Sequence, residues 1–115
     1  MENNTQTTIR TIDDVGIIEI SGEITSFSEQ ALETAYEQLT EKEITKILFS
    51  FENVSYINSA GMAIIISILT KSRDRGQVLS CWGLSEHFRK IFDMVGITKY
   101  ISNYSSEDDA MRGFA

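Results

Sequence analysis

The sequence contains no proline, one cysteine, one histidine and one tryptophan. Without proline, chain direction must change at glycines and helix caps. With Cys81 alone, no internal disulfide can form, and its place in the apolar run "VLSCWG" favours a small buried hydrophobe over a reactive thiol. One histidine, His87, and one cysteine leave no metal-ligand spacing of the His-x-x-x-His or Cys-x-x-Cys kind. Positive charge is also scarce: 10 basic residues face 17 acidic ones, for a net charge of -7. The densest basic cluster, "KSRDR" at Lys71 to Arg75, is interrupted by an aspartate. Nucleic acid and anionic membrane surfaces both need clustered positive charge and are excluded as main partners. The longest apolar run, "GMAIIISIL", is too short to cross a bilayer. The polar start "MENNTQTTIR" lacks the apolar core of an export signal, so a soluble, cytoplasmic protein without membrane insertion is expected. There is no glycine-rich phosphate loop, so no ATP or other cofactor is expected to bind.

What is present is a chain of 115 residues with 42% hydrophobic content. That is the size of one domain, residues 1–115, able to fold without disulfide or metal. The segments "TTIRTI" and "IIEISG" flank "DDVG" and predict a β-hairpin. Ile18 and Ile20 alternate with Glu19, predicting one buried and one polar face. Ser26 and Glu29 have capping-box spacing before a helix expected from about Phe27 to Thr40. "KILFSFE" predicts a central strand over Ile47 to Phe51, followed by "VSYINS" as a short loop with a strand-like start. A second helix is expected from about Ala60 to Arg73, stopping near Gly76. "QVLSCWG" predicts a strand. Ser85 then caps a third helix with Phe88, Ile91, Phe92 and Val95 on one stripe and Gly96 at its end. A weak strand in "TKYISNY" and a last helix capped by Ser106 complete the chain. The fold class is α/β: a mixed sheet with an N-terminal hairpin and alternating helices and strands, covered by about four helices.

The second helix raises two questions. Its apolar residues, Met62, Ile64, Ile65, Ile66, Ile68 and Leu69, span roughly 200° of arc. That is wider than one sheet face needs, and Ile64 and Ile66 stand at opposite margins. The excess serves either contact with neighbouring helices or a protein partner. At its start, Asn58 and Ser59 are both good N-caps. Neither has Glu or Gln three residues on, and Ala60 and Gly61 keep bulk away. Ser59 is therefore either a cap or a position where a phosphate would meet the free N–H groups and positive end of the helix.

Three stretches carry a resemblance to the STAS domain, in particular to the stand-alone anti-sigma factor antagonists of bacteria. "ISGEITSF", Ile20 to Phe27, resembles the family's loop after its second strand. "VSYINSAGMAII", Val54 to Ile65, resembles the Asp-Ser-Ser-Gly signature that opens its second helix. "FRKIFDMVGITKYI", Phe88 to Ile101, resembles its third helix and the following turn. The resemblance implies a non-enzymatic protein substrate with Ser59 as phosphoacceptor. An anti-sigma factor with ATP-dependent serine kinase activity adds the phosphate and a serine phosphatase removes it. The unphosphorylated form binds the anti-sigma factor and frees a sigma factor. The implied docking surface comprises Gly22, Glu23, Thr25, Ser26, Asn58, Ala60, Gly61, Met62 and Ile66, with Met62 and Ile66 as its apolar part.

Three positions depart from the family pattern. Asn58 stands in place of Asp, Ala60 in place of the second serine, and Thr25 in place of a loop Asp. They keep an alternative open: a STAS interaction module that is never phosphorylated, in a signalling scaffold or lipid-transport complex. A phospho-accepting receiver domain is disfavoured, because Asp13 and Asp14 lie within the hairpin and no Asp follows "LFSF". An enzyme is disfavoured too, since His87 has no acidic or nucleophilic neighbour in sequence and reads as a solvated surface side chain.

Overall fold

In the computed structural model, which describes residues 4–115, two strands open the chain: β1 (Thr5–Ile12) and β2 (Val15–Ile24). There follow α1 (Glu29–Glu41), β3 (Lys46–Ile57), α2 (Ser59–Asp74), β4 (Val78–Trp82), α3 (Glu86–Val95), β5 (Ser102–Tyr104) and α4 (Glu107–Phe114). The strands lie in the order β1-β2-β3-β4-β5. The hairpin pair is antiparallel and every later pair is parallel, because each later connection returns through a helix. This is the mixed sheet and element order expected from the sequence.

Both faces of the sheet are covered. On one face Ile18, Ile20, Ile47, Phe49, Leu79 and Cys81 pack under apolar stripes of α1, α2 and α3. Phe92 meets Phe51 edge-on, with ring centroids 5.9 Å apart. On the other face α4 lays Ala110, Met111 and Phe114 over Val15, Ile17 and Leu48. The expected polar face of β2 is thus corrected: Glu19 is half-buried and paired with Arg10, while Val15 and Ile17 are buried beneath α4. Cys81 is buried as expected, and desolvation pushes its thiol up to about 12, so it stays protonated at neutral pH. His87 is exposed. Lys71 bonds Glu33 at 2.9 Å and Arg75 bonds Glu37 at 3.0 Å, tying α2 to α1.

Two expected boundaries shift. The strand-like start of "VSYINS" is borne out and extends further than expected: β3 continues to Ile57 and stays paired with β2 as far as Ile24. Beyond Ser50 it has no partner in β4, so here β3 becomes an edge of the sheet, with β2 and the start of β1 on its other side. Glu52, Asn53, Ser55 and Tyr56 are exposed there, which removes the apolar alternation that announces a strand. The Ser26–Glu29 capping box also does not form. Thr25 is the cap instead, its Oγ1 accepting from the Phe27 amide at 3.2 Å. The Ser28 hydroxyl accepts in return from the Thr25 amide at 2.8 Å. A 3-10 turn over Ser26–Ser28 then leads into α1. Ser28 sets this frame because it is fully buried and shares a hydrogen bond with Thr5.

Candidate functional site

The N-terminus of α2 settles which residue caps it. Asn58 is extended, and its Oδ1 accepts from the Gly61 amide at 2.8 Å. Its carbonyl accepts from the Met62 amide at 2.8 Å, and its own amide donates to the Ile24 carbonyl at 3.1 Å. Asn58 therefore caps the helix and fastens it to the end of β2. Ser59 becomes the first helical residue and is exposed. Among the described residues nothing accepts from the Ser59 or Ala60 amides, and the Ser59 hydroxyl has no partner. One residue makes the cap, and its neighbour keeps a free hydroxyl beside two free donors at the positive end of a four-turn helix.

Gly61 explains how the helix comes so close to the loop. A Cβ there would stand 2.2 Å from the Ile24 carbonyl oxygen and 2.6 Å from its carbon. Only glycine lets the first turn of α2 rest on the backbone of β2. Gly22 serves the other side of the same loop. Its φ is +91°, and a Cβ would stand 1.9 Å from the Asn4 carbonyl. Glu23 is half-buried and accepts from Asn4 Nδ2 at 3.4 Å, while its carbonyl accepts from Thr5 Oγ1 at 2.6 Å. Thr25 is half-buried in its capping role, and Ser26 and Phe27 face solvent. The fold thus brings Gly22–Ser26 and Asn58–Met62 together, although more than thirty residues separate them. Gly61 is buried and contributes close approach, while Gly22 is half-buried at the turn of the loop.

Two grooves flank the exposed ridge of α2. One, of about 260 Å³, runs between α1 and α2 and is lined by Ser26, Glu29, Ala60, Ala63, Ile64 and Ser67. The other, of about 340 Å³, runs between α2 and α3 and contains Ser59 at its rim. Its apolar lining is Ile57, Met62, Ile66, Ile91 and Val95. The wide stripe of α2 divides accordingly. Ile64 is buried toward α1, and Ile66, on the opposite margin, stays 38% exposed. Met62 is 8% exposed, so it forms a floor of the groove rather than a protruding contact. The contribution of α3 was not evident from sequence. Ile91 and Val95 fit a core-facing stripe, and the available signal was that this stripe continues to Val95, 50% exposed, past the fully buried Phe92.

A family model described as the STAS domain matches residues 6–110. The chain belongs to that family. Among relatives of this STAS domain is the anti-sigma-B factor antagonist of Listeria monocytogenes, 26% identical over 82 residues, 71% of this chain and 72% of that protein. Among solved structures, an anti-sigma factor antagonist from Mycobacterium paratuberculosis superposes with a TM-score of 0.82 at 21% identity, covering 95% of this chain and 92% of that one. The phosphorylated form of the Bacillus cell fate determinant SpoIIAA superposes with a TM-score of 0.75 at 15% identity, covering 96% and 100%. Similarity at these identities establishes the shared fold. Among the described residues, no cluster of three or more His, Cys, Asp or Glu could hold a metal ion. None of their helices is long and apolar enough to cross a membrane.

The capping assignment is directly testable. Asn58→Ala removes the acceptor for the Gly61 amide and is expected to destabilise the STAS domain by about 1 kcal/mol. Asn58→Asp keeps an acceptor and places a negative charge at the positive helix end, so its stability should equal or exceed that of the parent. Urea unfolding read by circular dichroism checks both, as midpoint shifts at unchanged slope.

Proposed function

We propose that this STAS domain is an anti-sigma factor antagonist whose binding is switched by phosphorylation of Ser59. The observation that carries the proposal is the separation of roles at the start of α2. Asn58 supplies the cap, so Ser59 Oγ is exposed and uncommitted at the mouth of an apolar groove. The names of the Listeria and Mycobacterium relatives support the antagonist role, and the phosphorylated SpoIIAA structure supports this fold as a phosphate carrier.

The chain acts as a substrate and supplies no catalytic group. Ser59 Oγ attacks the γ-phosphorus of ATP held by a kinase-bearing anti-sigma factor. The O–P bond forms as the bond to ADP breaks, and the hydroxyl proton leaves to the kinase or solvent. The resulting phosphate has almost two negative charges and accepts from the Ser59 and Ala60 amides. It then stands at the rim of the groove lined by Met62, Ile66, Ile91 and Val95. An apolar partner segment entering that groove would have to strip water from the phosphate, so the phosphorylated form is released. A serine phosphatase restores the hydroxyl. Asn58 is neutral where the family carries Asp, so it does not repel the arriving phosphate.

Incubation with the cell's own anti-sigma kinase and ATP, followed by mass spectrometry of peptides, tests the switch. One phosphate on Ser59, and none on Ser59→Ala, is expected. A wild-type protein that binds this kinase yet stays unmodified would overturn it and leave the non-phosphorylated interaction module.

A further inference from the structure

Among the described residues, one edge of the sheet is β1. The opposite side is stepped: β5 has only three residues, and β3 runs past the end of β4 beyond Ser50. The two-residue turn at Asp13–Asp14 makes Ile12 and Val15 the closing hydrogen-bonded pair of the hairpin. Alternation then directs the N–H and C=O groups of Gln6, Thr8 and Arg10 toward β2. The Glu23 amide donating to the Asn4 carbonyl continues the same parity. Thr7, Ile9 and Thr11 direct theirs outward, and among the described residues no strand pairs with that edge.

Exposed edges are usually blunted by lysine, proline or a bulge. β1 has none of these: its sequence is TQTTIRTI and its register with β2 is unbroken over all eight residues. Its single charge, Arg10, is neutralised by Glu19 and Glu107 on the α4 side. The neighbouring wall is equally uncharged. A shallow cavity of about 490 Å³ is lined by Thr7 and Ile9 from β1 and by Gln30, Thr34 and Gln38 from α1. The glutamates of α1 lie on an adjacent stripe, where Glu33 and Glu37 pair with α2. In a chain of net charge -7, this edge carries no uncompensated charge that would repel a second copy.

We propose that β1 is a self-association edge, pairing antiparallel with β1 of a second copy and joining the two five-stranded sheets into one. With the two-fold axis at Ile9, each Ile9 faces the other copy's Ile9 and Thr7 faces Thr11. These three pairs use the outward-directed backbone groups, two hydrogen bonds each. Thr8 then faces Arg10, so no like charges meet. Moving the axis to Arg10 would set that residue against itself and lose a pair. The same axis brings Thr34 of α1 toward its counterpart and Gln30 toward Gln38, an isologous arrangement of amides and hydroxyls. This self-complementarity selects a second copy over a foreign strand. The residues used line neither groove beside Ser59, so the inference stands independently of the phosphorylation switch.

Sedimentation of the full chain over a concentration series, with amide hydrogen exchange, tests it. A concentration-dependent dimer is expected, with exchange at Thr7, Ile9 and Thr11 slowing as it forms and exchange at Thr8 and Arg10 unchanged. The double variant Thr7→Lys/Thr11→Lys sets lysine against lysine without touching the core. It should keep its fold by circular dichroism and lose the dimer. Mixing it with Thr7→Glu/Thr11→Glu should restore a dimer. A wild-type monomer at every concentration, or a dimer that survives in the lysine variant, would overturn the proposal. So would slow exchange at these amides that ignores concentration, which would place a segment of the same chain on the edge.

Discussion

Gly61→Ala is expected to destabilise the domain by about 3 kcal/mol, at the upper end of the usual range for overpacking. The added methyl would stand 2.2 Å from the Ile24 carbonyl oxygen, and the nearest atoms are backbone rather than a flexible side-chain tip. No rotamer change relieves that contact. The first turn of α2 has to lift off β2, which also strains the bond from the Asn58 amide to the Ile24 carbonyl. The loop from Gly22 to Ser26 and the Ser59 ridge then lose their common frame, so partner affinity should fall together with stability. Thermal unfolding measures the first effect and calorimetric titration of the anti-sigma factor the second. Gly113 lies far along the chain in α4, where the close atoms belong to the Tyr104 side chain. Gly113→Ala provides a contrast, because a side chain can yield where the Ile24 backbone cannot.

Ser59→Asp is expected to weaken binding of the anti-sigma factor by about 100-fold, equivalent to about 2.7 kcal/mol. The carboxylate is attracted to the unpaired amides of Ser59 and Ala60, so the fold itself should hold or gain slightly. The cost falls on the complex. A charge at the rim of the Met62–Ile66–Ile91–Val95 groove must be desolvated whenever an apolar segment enters. Ser59→Ala, which adds no charge, should bind like the unmodified protein. Equal affinity for the aspartate variant and the parent, with both folded, would remove the switch from the proposal.

How much of this was legible before folding differs from element to element. Helix caps at Ser85 and Ser106 and the glycine stop at Gly96 follow from local chemistry, and all three appear where expected. The Ser26–Glu29 box was equally plausible by spacing. It lost to Thr25 and Ser28 because Thr5, more than twenty residues earlier, holds the Ser28 hydroxyl. The far half of β3 carried no alternating pattern, because it runs past the end of β4 and exposes the side chains that would announce it. The buried second face of β2 depended on α4, the last element of the chain.

Local sequence determined the elements, their order and the candidacy of Asn58 and Ser59, since caps, periodicity and charge are properties of neighbouring residues. Which of that pair caps, and which stays free, was decided by the tertiary structure. Asn58 is drawn into the cap because its own amide is bound to Ile24 at the end of β2, and Gly61 is small enough to let the helix approach. The groove at the rim of which Ser59 stands was decided in the same way. Ile57, Met62, Ile66, Ile91 and Val95 come from three separate elements, and only packing on one face of the sheet makes them a surface.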